Sequence, residues 1–103
     1  MIGLVDPPCT AAWAVYLIEC IDGRVYTGIA RDPQVRYAKH FAGKGARFTR
    51  SNPPTRLLGW VWVDDKGAAL RLEIAWKKLP RAARIAALQA AVEAAVDLQE
   101  ISA

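Results

Sequence analysis

Two runs rich in β-branched and aromatic residues, "WAVYLIEC" at 13 to 20 and "RVYTGI" at 24 to 29, flank Asp22-Gly23. Side chains of this kind fill a pleated, half-buried surface, and Asp-Gly between such runs predicts a hairpin of antiparallel strands. In "RDPQVRYAKHF", Asp32 is placed to cap a helix and Pro33 to open it, where its missing amide proton costs nothing. A helix is predicted from Pro33 to Phe41, stopping before Gly43. The segment "AGKGARFTRSNPPT", with two glycines and a Pro-Pro pair, predicts a loop. A third strand, "RLLGWVWVD", sets Trp60 and Trp62 on one face and Val61 and Val63 on the other.

Beyond Asp64-Asp65, "KGAALRLEIAWKKL" has helical composition, and Pro80 either ends that helix or opens the next. The alanine-rich "PRAARIAALQAAVEAAVDLQ" carries Ile85, Leu88, Val92 and Val96 at spacings of three and four, the pattern of one amphipathic helix. The expected architecture is α+β. A small three-stranded antiparallel sheet carries the Arg36 and Glu73 helices against it, with the last helix packed outside. Residues 1–12 form an N-terminal extension, 13–79 the core, and 80–103 a C-terminal helix on the same domain. Neither an internal repeat nor a linker interrupts this plan.

Hairpin register decides what the two tyrosines of this region can do together. A two-residue turn would put Tyr16 and Tyr26 on opposite faces of the sheet. A three-residue loop Ile21-Asp22-Gly23, with Gly23 in the left-handed conformation as a G1 bulge, sets Tyr16 opposite Gly28 and Tyr26 opposite Ile18. The phenols then become diagonal neighbours about 7 to 8 Å apart at their backbones, with a gap at Gly28. The bulged loop is predicted.

A chain of 103 residues, 53% hydrophobic, with seven glycines and six prolines, has the size and composition of one globular domain. Charges interrupt every run approaching the length that a bilayer demands, so no membrane partner is expected. The opening "MIGLVDPPCT" lacks the basic start and sustained apolar stretch of a secretory signal, and a cytoplasmic location is expected. Cys9 and Cys20 match no metal-binding spacing and are expected to be filler. The formal charge is +4, and six Lys or Arg against one Asp lie between Arg31 and Arg50. Local positive charge of this kind suits an anionic partner.

Candidate chemistry lies in and around that basic stretch. Arg36 and His40, four apart, share a helix face; Arg36 can grip a phosphate bidentately and His40 can donate or carry a proton, or the two simply line a solvated face. Glu73 either pairs with Lys77 or supplies the one carboxylate that Mg²⁺ needs beside waters and substrate phosphate oxygens. Lys39, Lys44, Arg47 and Arg50, with Phe48 and Thr49 among them, suit backbone phosphates and an unstacked base; a solvated loop has the same composition. Strand packing alone would also account for the tyrosines.

In order along the chain, "AVY" at 14–16, "YTG" at 26–28, Arg36 and His40 in "RYAKH", and Glu73 in "ALRLE" resemble the GIY-YIG endonuclease family. The segments "GKGARFTR" and "ALRLEIAWKKL" resemble in particular its small single-domain bacterial branch, related to the catalytic domain of structure-specific junction nucleases. The resemblance runs from Trp13 to Leu79. Ala14 stands for the first glycine of the name motif, and Val15 and Thr27 for its isoleucines; these changes alter packing and remove no chemistry. It implies that Tyr16 and Tyr26 activate and place the attacking water, that Arg36 holds the scissile phosphate, that His40 assists, and that Glu73 binds the metal. A further downstream polar residue used by some relatives has no clear counterpart, with Lys44, Arg47 and Thr49 as the candidates.

The implied activity is hydrolysis of DNA phosphodiester bonds with Mg²⁺ or Mn²⁺, on structured or single-stranded DNA in repair or recombination. Tyr16 is expected to be the general base and Tyr26 its positioning partner, with Arg36 and the metal lowering the Tyr16 pKa. The alternatives are a non-catalytic nucleic-acid-binding module of the same fold and a scaffold that binds only protein. Oligomeric state is left open, though the alanine-rich last helix is compatible with a dimer.

Overall fold

The computed structural model of the chain describes residues 7–102, with side chains described as far as residue 94. Residues 1–6 of the N-terminal extension and the Val96 side chain of the last helix lie outside those described. The elements are β1 (Trp13–Cys20), β2 (Val25–Ala30), α1 (Pro33–Phe41), α2 (Arg47–Ser51), β3 (Pro54–Val63), α3 (Lys66–Lys77) and α4 (Arg81–Ser102). The three strands form one antiparallel sheet in the order β2-β1-β3.

The hairpin has the bulged loop. Cys20 N donates to Arg24 O at 2.8 Å, Gly23 N donates to Cys20 O at 2.9 Å, and Gly23 has φ 84°. That conformation strains any side-chain-bearing residue, which accounts for glycine here. Tyr16 lies opposite Gly28, and Ile18 opposite Tyr26.

The sheet has two unlike faces. Val15, Leu17, Val25, Leu58 and Val61 meet Ala69 and Trp76 of α3 and Leu88 of α4 in an apolar core. On the other face, Ala14, Tyr16, Ile18, Cys20, Leu57 and Trp60 pack with Tyr26, Tyr37, Phe48 and Trp62, beneath α1 and α2. The Trp60/Val61 alternation of β3 follows the sequence pattern. The expected cap forms, Asp32 Oδ1 accepting from Val35 N at 3.1 Å, and Asp65 Oδ1 caps α3 in the same way, accepting from Ala68 N at 2.8 Å. Cys9 is exposed and Cys20 buried, both as free thiols.

Three features differ from the sequence reading. The segment after Gly43 is not all loop, because Arg47–Ser51 closes into a short helix with no side-chain cap at Ala46. Five residues do not hold a helix alone; here Thr49 is buried and Phe48 packs on the sheet. Second, β3 starts at Pro54, whose partner in register is Cys20, so the second proline of the pair belongs to an edge strand, where a missing donor is tolerated. Third, α4 is not an outer layer: Leu88 is fully buried in the same core as α3. Among the described residues no helix is long and apolar enough to cross a membrane.

Arg84 of α4 holds this arrangement together beside β2. Its Nη1 donates to Val25 O at 2.9 Å and to Thr27 Oγ1 at 3.0 Å, on either side of Tyr26. Its Nη2 donates to Leu79 O at 2.9 Å and to Lys77 O at 3.4 Å, at the end of α3. Burial pushes the guanidinium pKa down from its ordinary value. The cation complements the carbonyl end of the helix while clamping the tyrosine strand to it. Replacing Arg84 by Met leaves these carbonyls without their donor, and a loss of about 2–3 kcal/mol is expected in urea unfolding; unchanged stability would show that the clamp carries no weight.

Candidate active site

The paired strands, α1 and α2 bring five side chains into one cluster. Tyr16 is 1% exposed and His40 0%, and the Tyr16 hydroxyl lies 2.8 Å from His40 Nε2. His40 Nδ1 lies 2.7 Å from Thr49 Oγ1, which donates to Ala46 O at 2.9 Å. The rings of Tyr16 and Tyr26 are 6.3 Å apart between centroids, and those of Tyr26 and His40 5.1 Å. Phe48 stacks on Tyr26 at 5.9 Å.

Two glycines make room for this contact. A Cβ on Gly28 would lie 2.4 Å from the Tyr16 hydroxyl, and one on Gly45 would lie 2.2 Å from His40 Nδ1. The gap expected opposite Tyr16 is therefore filled by the tyrosine's own hydroxyl end.

Charge arrives from α1 and α3. Arg36 acts on Tyr16, Tyr26 and His40, and Glu73 acts on both tyrosines. Lys77, one turn on from Glu73, pairs with it at 3.7 Å and stands 6.0 Å over the Tyr26 ring. Glu73 thus joins the phenols from the opposite helical layer, because β2 is an edge strand that α3 borders. Among the described residues no three His, Cys, Asp or Glu gather as a metal cluster. Glu73 alone fits a hard cation that keeps most of its waters and takes further oxygens from a phosphate.

The environment pushes the titrating groups toward neutrality. Burial raises the Tyr16 pKa, the neighbouring Tyr26 and Glu73 add to the rise, and the hydrogen bond and charge of Arg36 oppose it without prevailing. Burial also raises Tyr26, with Glu73 adding and Arg36 opposing. Arg36 acts on Tyr16 in the expected direction, but in the protein alone desolvation outweighs it. His40 is lowered to about 4, first by burial and then by Arg36.

The remaining sequence candidates divide. Lys39, Lys44, Arg47 and Arg50 are exposed, and Phe48 is half-buried against Tyr26. Thr49, expected at a nucleic-acid surface, is 1% exposed and turned inward to His40. An open cavity of about 310 Å³ is lined by Val25, Tyr26, Thr27, Phe48, Lys77 and Arg84. Arg84 was missed as a site-shaping residue. The readable signal was its place one turn before Leu88, a lone charge on the apolar stripe of an amphipathic helix.

A histidine buried as a neutral ring makes stability depend on pH. The unfolded chain binds its proton near 6.5 and the folded chain near 4, so the contribution is complete above pH 6.5 and is lost as pH falls toward 4. Urea unfolding should show a decline of about 3 kcal/mol over that window, much reduced in His40→Asn. An equal decline in the variant would assign the effect elsewhere.

Comparison with known proteins places the chain in a family. The GIY-YIG catalytic domain family matches residues 12–86. A UPF0213 protein of Cupriavidus pinatubonensis is 49% identical over 74 residues, covering 72% of this chain and 82% of that one. A UPF0213 protein of Xanthomonas axonopodis is 45% identical over 78 residues, 76% of each chain. The solution NMR structure of a UPF0213 protein from Bacillus halodurans is 40% identical, covers 71% of this chain and 78% of that one, and superposes with a TM-score of 0.44. The chain belongs to the GIY-YIG catalytic-domain family, a membership that points to nuclease activity on a nucleic-acid substrate.

Proposed function

We propose that this protein is a divalent-metal-dependent endonuclease that hydrolyses DNA phosphodiester bonds, on structured or single-stranded DNA of the kind met in repair and recombination. The observation that carries the reading is the gathering of Tyr16, Tyr26, His40, Arg36 and Glu73 about one end of the hairpin. A fold that needed only packing would have no reason to bring a guanidinium and a carboxylate from different helices within electrostatic reach of two phenols.

In this mechanism Arg36 forks onto the scissile phosphate and offsets the charge that grows there. Glu73 would hold Mg²⁺ or Mn²⁺, which when bound supplies Lewis-acid stabilisation of the phosphate and the leaving oxygen. The phenols differ in access. Tyr16 is buried with its hydroxyl against His40, while Tyr26 is half-buried and lines the open cavity. This supports Tyr26 as the phenol that meets the attacking water and Tyr16 as the inner partner, the reverse of the order expected from sequence.

Both phenols hold their protons at neutral pH in the free protein, so Tyr26 must first release its own proton to the solvent of the open cavity, a loss that Arg36 favours, and the phenolate then takes the water's proton as the new P–O bond forms. Phe48, stacked on Tyr26, offers its other side to an unstacked base. The exposed Lys39, Lys44, Arg47 and Arg50 suit the phosphates of the flanking strand.

End-labelled branched and single-stranded DNA should be cut in the presence of Mg²⁺ or Mn²⁺ and left intact with chelator. Glu73→Gln should lower the rate about 10³-fold, the scale of a lost electrostatic stabiliser. Binding without cutting under every metal condition would establish the non-catalytic module instead. Among the phenols, Tyr26→Phe should cost about 100-fold or more in rate; a far larger loss in an equally stable Tyr16→Phe would restore Tyr16 as the base.

A further inference from the structure

The hydrogen bonds behind Tyr16 run in one direction. At the outer end, the Arg36 charge favours the oxygen of the Tyr16 hydroxyl over its proton, and a guanidinium can only donate. At the inner end stands the carbonyl of Ala46, which can only accept, and it takes the Thr49 hydroxyl proton at 2.9 Å. With that proton committed, Thr49 Oγ1 meets His40 Nδ1 at 2.7 Å as an acceptor, so Nδ1 carries the ring hydrogen. Nε2 of a neutral ring then has a lone pair, and the Tyr16 hydroxyl donates to it across 2.8 Å.

Running the chain the other way would point the Tyr16 proton at the guanidinium and leave Ala46 O with its backbone bond from Arg50 N at 3.1 Å alone. A doubly protonated ring would set a second N–H against a buried site beside Arg36, which burial and that charge both oppose. Gly45 closes the segment directly over Nδ1, where even a methyl group has no room.

We infer that Thr49 is a positioning residue which selects the Nδ1–H tautomer of His40, turns the Tyr16 proton inward, and so leaves the Tyr16 oxygen as an acceptor for Arg36. Three residues of the basic segment thereby act on the site from behind: Gly45 by its closeness, Ala46 through its carbonyl and Thr49 through its hydroxyl. Without Thr49 the ring is free to adopt the Nε2–H form. That hydrogen would compete with Arg36 for the Tyr16 oxygen and turn the phenol proton toward the cation. The consequence for catalysis rests on the nuclease reading, through the role of Arg36 as phosphate holder; the tautomer itself does not.

His40 is the chain's only histidine, so its imidazole ¹⁵N signals are unambiguous. At pH 7, in protein free of metal and nucleic acid, Nδ1 should resonate as a protonated ring nitrogen and Nε2 as an unprotonated one. Thr49→Val, which keeps the shape and removes the hydroxyl, should shift the population to the Nε2–H form, and Thr49→Ser should restore the wild-type spectrum. In the cleavage assay kcat should fall by about 10- to 100-fold in Thr49→Val, as when the partner behind an oriented histidine is lost. KM should hold, and Thr49→Ser should recover the rate.

A wild-type ring in the Nε2–H form, or a Thr49→Val spectrum still in the Nδ1–H form, would overturn the inference. Should Thr49→Val fail to fold, the wild-type and Thr49→Ser spectra still decide it. The expected tautomer in a protein that cuts no DNA would refute the nuclease reading and leave this inference standing.

Discussion

Everything in this site depends on the pairing register of β1 with β2. A slip of one residue would turn Tyr26 away from Tyr16 and onto the face where Leu17, Trp76 and Leu88 pack. Two glycines hold the register. Gly23, at φ 84°, supplies the extra loop residue at no steric cost, where an ordinary side chain would lose roughly 1–2 kcal/mol. Gly28 receives the end of the Tyr16 side chain, and any larger residue there would push the hydroxyl off His40. The turn therefore sets how Tyr16, seven residues before Gly23, and Tyr26, three residues after it, face each other.

The two faces of the sheet take different tasks. One is an apolar core closed by α3 and α4, which supplies the stability of a small domain by excluding water. The other carries the Tyr16, His40 and Thr49 chain, polar yet satisfied atom by atom, under α1 and α2. Because β2 is the edge strand, α3 can bury Ala69 and Trp76 on the first face and still bring Glu73 and Lys77 to Tyr26. Arg84 keeps those two jobs in register by bonding to the strand on both sides of Tyr26 and to the end of α3.

What was legible in the sequence is local. The Asp-Gly pair, the Asp32 cap, Pro33 and the Trp/Val alternation of β3 each act through neighbours along the chain, and each element they predict is present. The α2 helix was not legible, because its five residues have neither cap nor periodicity and are held by His40 and Tyr26 from elsewhere. Thr49 was misplaced for the same reason: among lysines and arginines a threonine looks like surface, and only the approach of α1 buries it. The net rise of the Tyr16 pKa in the protein alone was not legible, because a sequence shows which cations are near in order, while desolvation is a property of the finished fold.

The electrostatic design follows from that last point. A buried Tyr–His–Thr chain is stable when neutral and fully bonded, and costly once any member ionises. Charges are accordingly kept outside it: Arg36 is half-buried, Glu73 shares its charge with Lys77, and the remaining cations of the segment are exposed. A phosphate arriving at Arg36 would cancel the smaller of the two influences that depress His40 and leave the larger, burial, in place. On the proposed nuclease reading the inner chain would therefore stay neutral through binding. Its contribution would be orientation, because oriented dipoles that need not rearrange are the form of stabilisation a developing charge can use without delay.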